Sequence, residues 1–143
     1  MTTENLKQAV PFFMVTSMEK SLDFYVRGLG FGIKIEWKPN GTIEWCWLER
    51  DGVAVMLQEF REGFLPNDPL GTGSSVCFIC RDALDIYGEF LQRNLELEEP
   101  FVGNGMWVVA IRDPDGYELV FESLTDVPEE TRYSDWLNSK KSD

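Results

Sequence analysis

The sequence predicts an α+β fold built from two copies of one βαβββ unit, and three observations predict it. Asp51-Gly-Val-Ala-Val-Met-Leu-Gln-Glu59 aligns without gaps on Asp115-Gly-Tyr-Glu-Leu-Val-Phe-Glu-Ser123, 64 residues further on. Val10-Pro-Phe-Phe-Met-Val-Thr-Ser17 matches Ser75-Val-Cys-Phe-Ile-Cys-Arg-Asp82 at an offset of 65, and a helical pattern follows each copy. Two near-equal offsets mark an internal repeat. Finally, 143 residues with 43% hydrophobic and 13% aromatic content supply a core without disulfides or a structural metal. One domain is expected, with module one at about 8–62, module two at about 73–124 and a tail at about 128–141.

Each element has a local cause. Ser17 is positioned to cap a first helix in which Met18, Leu22, Tyr25 and Val26 recur at helical spacing before Gly28 and Gly30 stop it. Strands then follow at Phe31 to Trp37, Thr42 to Glu49 and Val53 to Glu59, the last opened by the Asp51-Gly52 turn. In the second copy Asp82 caps a helix carrying Leu84, Ile86, Tyr87, Phe90 and Leu91. A weakly marked strand precedes Trp107 to Arg112 and Tyr117 to Ser123. The tail, Glu129 to Lys141, sets Tyr133, Trp136 and Leu137 on one helical face behind Pro128, so it should dock on a protein surface.

Composition excludes much. The 13 Lys and Arg against 25 Asp and Glu give a net charge of −12, which repels nucleic-acid phosphates and anionic membranes. The chain has no histidine, which removes Ser-His-Asp and Cys-His nucleophile systems, H-E-x-x-H zinc sites and the two-His-one-carboxylate iron site. No long apolar run marks a signal peptide or membrane span, so a cytoplasmic location is expected. Three cysteines argue against a disulfide framework. Alternation turns Cys77 and Cys80 to opposite faces, as buried free thiols.

Together these segments resemble the vicinal oxygen chelate superfamily of glyoxalases, bleomycin-resistance proteins and extradiol dioxygenases. The resemblance spans about Gln8 to Leu124. Its carriers are Val10-Pro-Phe-Phe-Met-Val, Ser21-Leu-Asp-Phe-Tyr25, Leu29-Gly-Phe31, Asp51-Gly with Met56-Leu-Gln-Glu59, and Arg112-Asp-Pro-Asp-Gly-Tyr-Glu-Leu-Val-Phe-Glu122. It implies paired modules whose curved sheets form a cup, usually completed in a homodimer. The superfamily's metalloenzymes hold their ion at four positions that fall here on Val10, Met56, Ser75 and Val120, none a suitable donor for a hard divalent ion. No metal or other cofactor is therefore expected.

The likeness is greatest to the bleomycin-resistance proteins, which sequester a cationic, bithiazole-bearing antibiotic without chemistry. It implies a first strand exchanged between subunits near Pro11. Their usual Trp-Gly before the Arg-Asp-Pro strand reads Gly105-Met106 here, with Trp107 two residues on.

Alternation then proposes the lining. Val53, Val55, Leu57, Tyr117, Leu119 and Phe121 should pack on the helices, leaving Ala54, Met56, Gln58, Glu118, Val120 and Glu122 toward the cup. Tight turns would pair Trp45 with Met56, Trp47 with Ala54, Val109 with Val120 and Trp107 with Glu122. Phe12, Met14, Ser75 and Cys77 face the same way. The expected ligand-binding residues are thus Phe12, Trp45, Trp47, Met56, Gln58, Ser75, Trp107, Glu118 and Glu122, suited to a planar or cationic aromatic compound. The competing reading is a lyase or oxidoreductase related to glyoxalases and dioxygenases, or a cofactorless enzyme using Glu118 or Glu122 as acid or base.

Overall fold

Ser17 and Asp82 begin the two helices as their residue types require. Ser17 Oγ accepts from the Lys20 amide, and Asp82 Oδ1 accepts from the amides of Leu84 and Asp85, satisfying donors that a helix N-terminus leaves open. The computed structural model describes residues 3–141, which divide after Leu65 into two compact units.

Module one runs β1 (Phe12–Val15), α1 (Met18–Leu22), a π-helical turn (Asp23–Gly28), then β2 (Gly32–Trp37), β3 (Trp45–Arg50) and β4 (Val53–Glu59). Its four strands lie in the order β1-β4-β3-β2, with β1 parallel to β4 and the other neighbours antiparallel. Glu59, at the end of β4, accepts from the Met18 amide at 2.6 Å and so ties the helix start to the sheet. One sheet face packs on the helix: Phe13, Val15, Cys46, Leu48, Val55 and Leu57 are buried with Met18, Tyr25, Leu29 and Phe31. Val53, expected in that layer, stands exposed at the strand's first position.

Module two repeats the order as β5 (Ser75–Ile79), α2 (Ala83–Gln92), β6 (Phe101–Gly103), β7 (Met106–Arg112) and β8 (Glu118–Leu124), with α3 (Tyr133–Lys141) appended. The sheet order is β5-β8-β7-β6. Phe121 stacks on Phe78 and meets Phe90 of α2 edge-on, which places Phe121 and Leu119 in the helix-side core. The tail docks on its own module: Trp136 and Tyr133 contact Trp107, and Tyr133 contacts Tyr87.

The two β-hairpins differ in their turns. Asp51 and Gly52 both take positive φ, 51° and 80°, forming a two-residue turn closed by the Arg50 and Val53 pair. Trp45 consequently lies opposite Gln58 and Trp47 opposite Met56, two residues from the expected register but on the same face. In module two the connection spans five residues, 113–117, between Arg112 and its partner Glu118. Buried Asp113 organises it, accepting from the amides of Asp115 and Tyr117.

That loop shifts the expected register by one residue, and a one-residue shift reverses the face. Trp107 pairs with Ser123, and Glu122 with Val108. The expectation that Trp107 faces the cup beside Glu122 is corrected: it is 4% exposed and lies in the core beneath α3. The cysteine expectation is corrected in part. Cys46 is buried, Cys80 intermediate and Cys77 exposed, because alternation puts Cys77 on the side of the sheet away from α2.

Candidate functional site

Each sheet buries one face under its helix, and the strand register fixes what the opposite face presents; in module one that face is largely exposed, whereas in module two its Val108 and Val120 are buried. In module one the register arranges two rows across four strands. The first is Phe12, Met56, Trp47 and Ile35; the second is Met14, Gln58, Trp45 and Trp37. Phe12, Ile35 and Trp37 are 46%, 50% and 48% exposed, so this is an unpacked aromatic face rather than core. Trp45, Trp47, Met56 and Gln58 are half-buried by their neighbours.

Ile35 and Trp37 were not anticipated as lining. The alternation of Ile33, Ile35 and Trp37 with Lys34, Glu36 and Lys38 held the signal, but assigning the face required the β2 to β3 register. A bulge between Ile33 and Ile35 breaks simple counting there.

Polar groups fix one of these rings. The Trp47 indole Nε1 donates to Glu49 Oε1 at 3.0 Å, and Lys34 Nζ lies 3.1 Å from the same oxygen. The indole hydrogen bond, seconded by Lys34, holds the Glu49 carboxyl below its ordinary range.

Module two presents a different open face. Its rows are Ser75, Glu118 and Arg112; then Cys77, Val120 and Ala110; then Ile79, Glu122, Val108 and Phe101. Arg112 pairs with Glu118 at 3.3 Å. A cleft of about 620 Å³ reaches this face, bordered by Leu70, Thr72, Ser74, Ser75, Arg112 and Glu118. Burial, followed by the carboxylates of Glu122 and Glu118, pushes the Cys77 thiol up, which disfavours its thiolate.

The residues expected to line a site thus fall into two sets. Phe12, Trp45, Trp47, Met56 and Gln58 share the open face of module one, and Ser75, Glu118 and Glu122 share that of module two. Trp107 joins neither. The metal positions of the superfamily fit a divalent ion poorly. Val10 and Val120 carry no donor atom, Met56 offers a soft thioether and Ser75 a hydroxyl; among the described residues no three His, Cys, Asp or Glu side chains gather.

A repeated βαβββ module with open sheet faces defines a class of small α+β proteins, the vicinal oxygen chelate fold. The chain belongs to the Glyoxalase/Bleomycin resistance protein/Dioxygenase superfamily, whose sequence profile matches residues 7–121. No curated protein matches the chain by sequence. Among solved structures it is similar to a bleomycin-binding protein complexed with bleomycin, at 23% identity and TM-score 0.66, covering 84% of this chain and 100% of that one. It is also similar to a bleomycin resistance determinant encoded on the transposon Tn5, at 24% identity and TM-score 0.66, covering 83% and 98%. A third is TnmS3, an antibiotic binding protein from Streptomyces sp. CB03234, at 19% identity and TM-score 0.64, covering 85% and 100%. At these identities the likeness establishes the fold.

Proposed function

We propose that this protein is a metal-free binder that sequesters a planar or cationic aromatic small molecule, in the manner of an antibiotic-resistance protein. The observation that carries this reading is the open face of module one, where Phe12, Trp37, Trp45 and Trp47 stand on the solvent side of a sheet whose other side already holds the core. Exposed aromatic surface of this kind is the chemistry of stacking and cation–π recognition. The net charge of −12 favours cations further. Structural relatives described as a bleomycin-binding protein and an antibiotic binding protein agree with it. The enzyme alternative has less support, because Arg112 engages Glu118 and the donor set at the metal positions is unsuited to a hard ion.

The working unit we propose is a homodimer. In this chain β1 pairs with its own β4, the Met56 amide donating to the Pro11 carbonyl at 2.9 Å; an exchanged first strand would make the same bonds from the partner. A cytoplasmic location is proposed with it; among the described residues no helix is long and apolar enough to cross a membrane.

Titration with bleomycin, a cationic bithiazole, tests the reading through tryptophan fluorescence. Quenching is expected in the parent. Trp47→Ala should weaken binding by about 1–3 kcal/mol with little change in Tm. A parent unquenched by bleomycin and by a panel of cationic aromatics, or one that carries stoichiometric Zn, Mn or Fe after dialysis, overturns it.

A further inference from the structure

We propose that Lys34, Glu49 and Trp47 form a clamp that fixes the plane of the Trp47 indole, making Glu49 a positioning residue for an aromatic ligand; the ligand role rests on the binding reading above.

Three observations converge on the clamp. Trp47 and Glu49 are two residues apart on β3, so both project from the open face. Lys34 is the extra residue where the β2 register shifts between Ile33 and Ile35, and such bulges re-aim a side chain out of strict alternation. Here Lys34 Nζ reaches Glu49 Oε1 at 3.1 Å, the oxygen that also accepts the Trp47 indole N–H at 3.0 Å. The bulge therefore supplies a cation whose target is the acceptor of the indole.

As a stabilising ion pair this contact counts for little, since the Lys34 side chain is 58% exposed and the Glu49 side chain 28%. Its effect is geometric. An indole with its N–H unattached could rotate about both side-chain torsions, and a ligand stacking on it would have to immobilise it. A ring already held by a charge-assisted hydrogen bond avoids much of that ordering cost.

The test uses the full chain labelled with ¹⁵N, with the Trp47 indole N–H resonance identified by its loss in Trp47→Phe. Glu49→Leu should shift that resonance and raise the Kd for bleomycin about three- to tenfold, the size of ordering one large side chain. Glu49→Gln, which retains an acceptor oxygen, should recover most of the affinity. Lys34→Met should give a smaller loss of about twofold. All three variants should melt with the parent. An indole resonance unmoved in Glu49→Leu overturns the clamp. A shifted resonance with unchanged affinity overturns the positioning role. A parent that binds no ligand overturns the functional reading and the ligand role with it, while the resonance still decides whether the clamp exists.

Discussion

The two modules share strand order, helix placement and a parallel first strand, yet they put their tryptophans on opposite faces. Module one turns Trp45 and Trp47 of β3 to the open side, whereas module two turns Trp107 of β7 into the core under α3. The cause lies in the hairpin connections. A two-residue turn and a five-residue loop differ by an odd number, and in a structure of period two that difference decides which side chains face solvent. Duplicated architecture has therefore left two surfaces with separate chemistries, one aromatic and one carrying carboxylates.

The comparison is broken most severely at Trp107. Trp107→Ala should cost about 3–5 kcal/mol of stability, because a buried indole packed on Tyr133 and Trp136 leaves a cavity. Thermal melting checks this, and a loss confined to ligand affinity would return Trp107 to the open face. The contrast with Trp47→Ala, which should spare the melt, is the sharpest statement of the difference between the modules.

Their cysteines sharpen it further. Burial pushes the Cys46 thiol up to about 11 from an ordinary value of 9.0, opposed by a backbone hydrogen bond with Leu57 and reinforced by the Glu36 charge. Below pH 9 the thiol is protonated in both states. Between about 9 and about 11 only the unfolded chain ionises, so stability falls as pH rises through that window, by on the order of 3 kcal/mol. Denaturant titrations across the window should show the slope, and Cys46→Ala should abolish its cysteine component. Cys77, exposed on the opposite face of its sheet, is pushed up in the same direction by partial burial and then by the Glu122 and Glu118 carboxylates.

A smaller effect is expected at Glu129, whose carboxylate accepts from the amides of both Asn104 and Gly105 and so ties the tail to the β6 to β7 turn. Glu129→Ala should cost about 1–2 kcal/mol, read from the denaturation midpoint.

Much of this molecule was legible before folding. The repeat, the caps at Ser17 and Asp82, and the sorting of Leu119 and Phe121 against Glu118 and Glu122 follow from spacing and period alone. What was not legible depended on counting across a loop. Nothing in Asp113-Pro114-Asp115-Gly116 announces that the Asp113 carboxylate will hold a five-residue connection rather than a tight turn, and Trp107 was misplaced by that single residue. The bulge at Lys34 hid Trp37 and the Glu49 contact in the same way. Side chains opposite one another are set by the connection between strands, and short connections carry little sequence signal.

The segment just before α3 has a consequence of another kind. Glu130 donates its amide to the Val102 carbonyl, Val102 donates to the carbonyl of Thr131, and Phe101 bridges to Arg132, so the chain covers the outer edge of β6 with its own backbone. An uncovered edge strand is a template on which another polypeptide can add, the first step toward amyloid-like growth. Here these few residues already occupy that edge. A chain shortened ahead of Glu130 would lose more than a docked helix: it would expose an adhesive border, and its failure would show as turbidity.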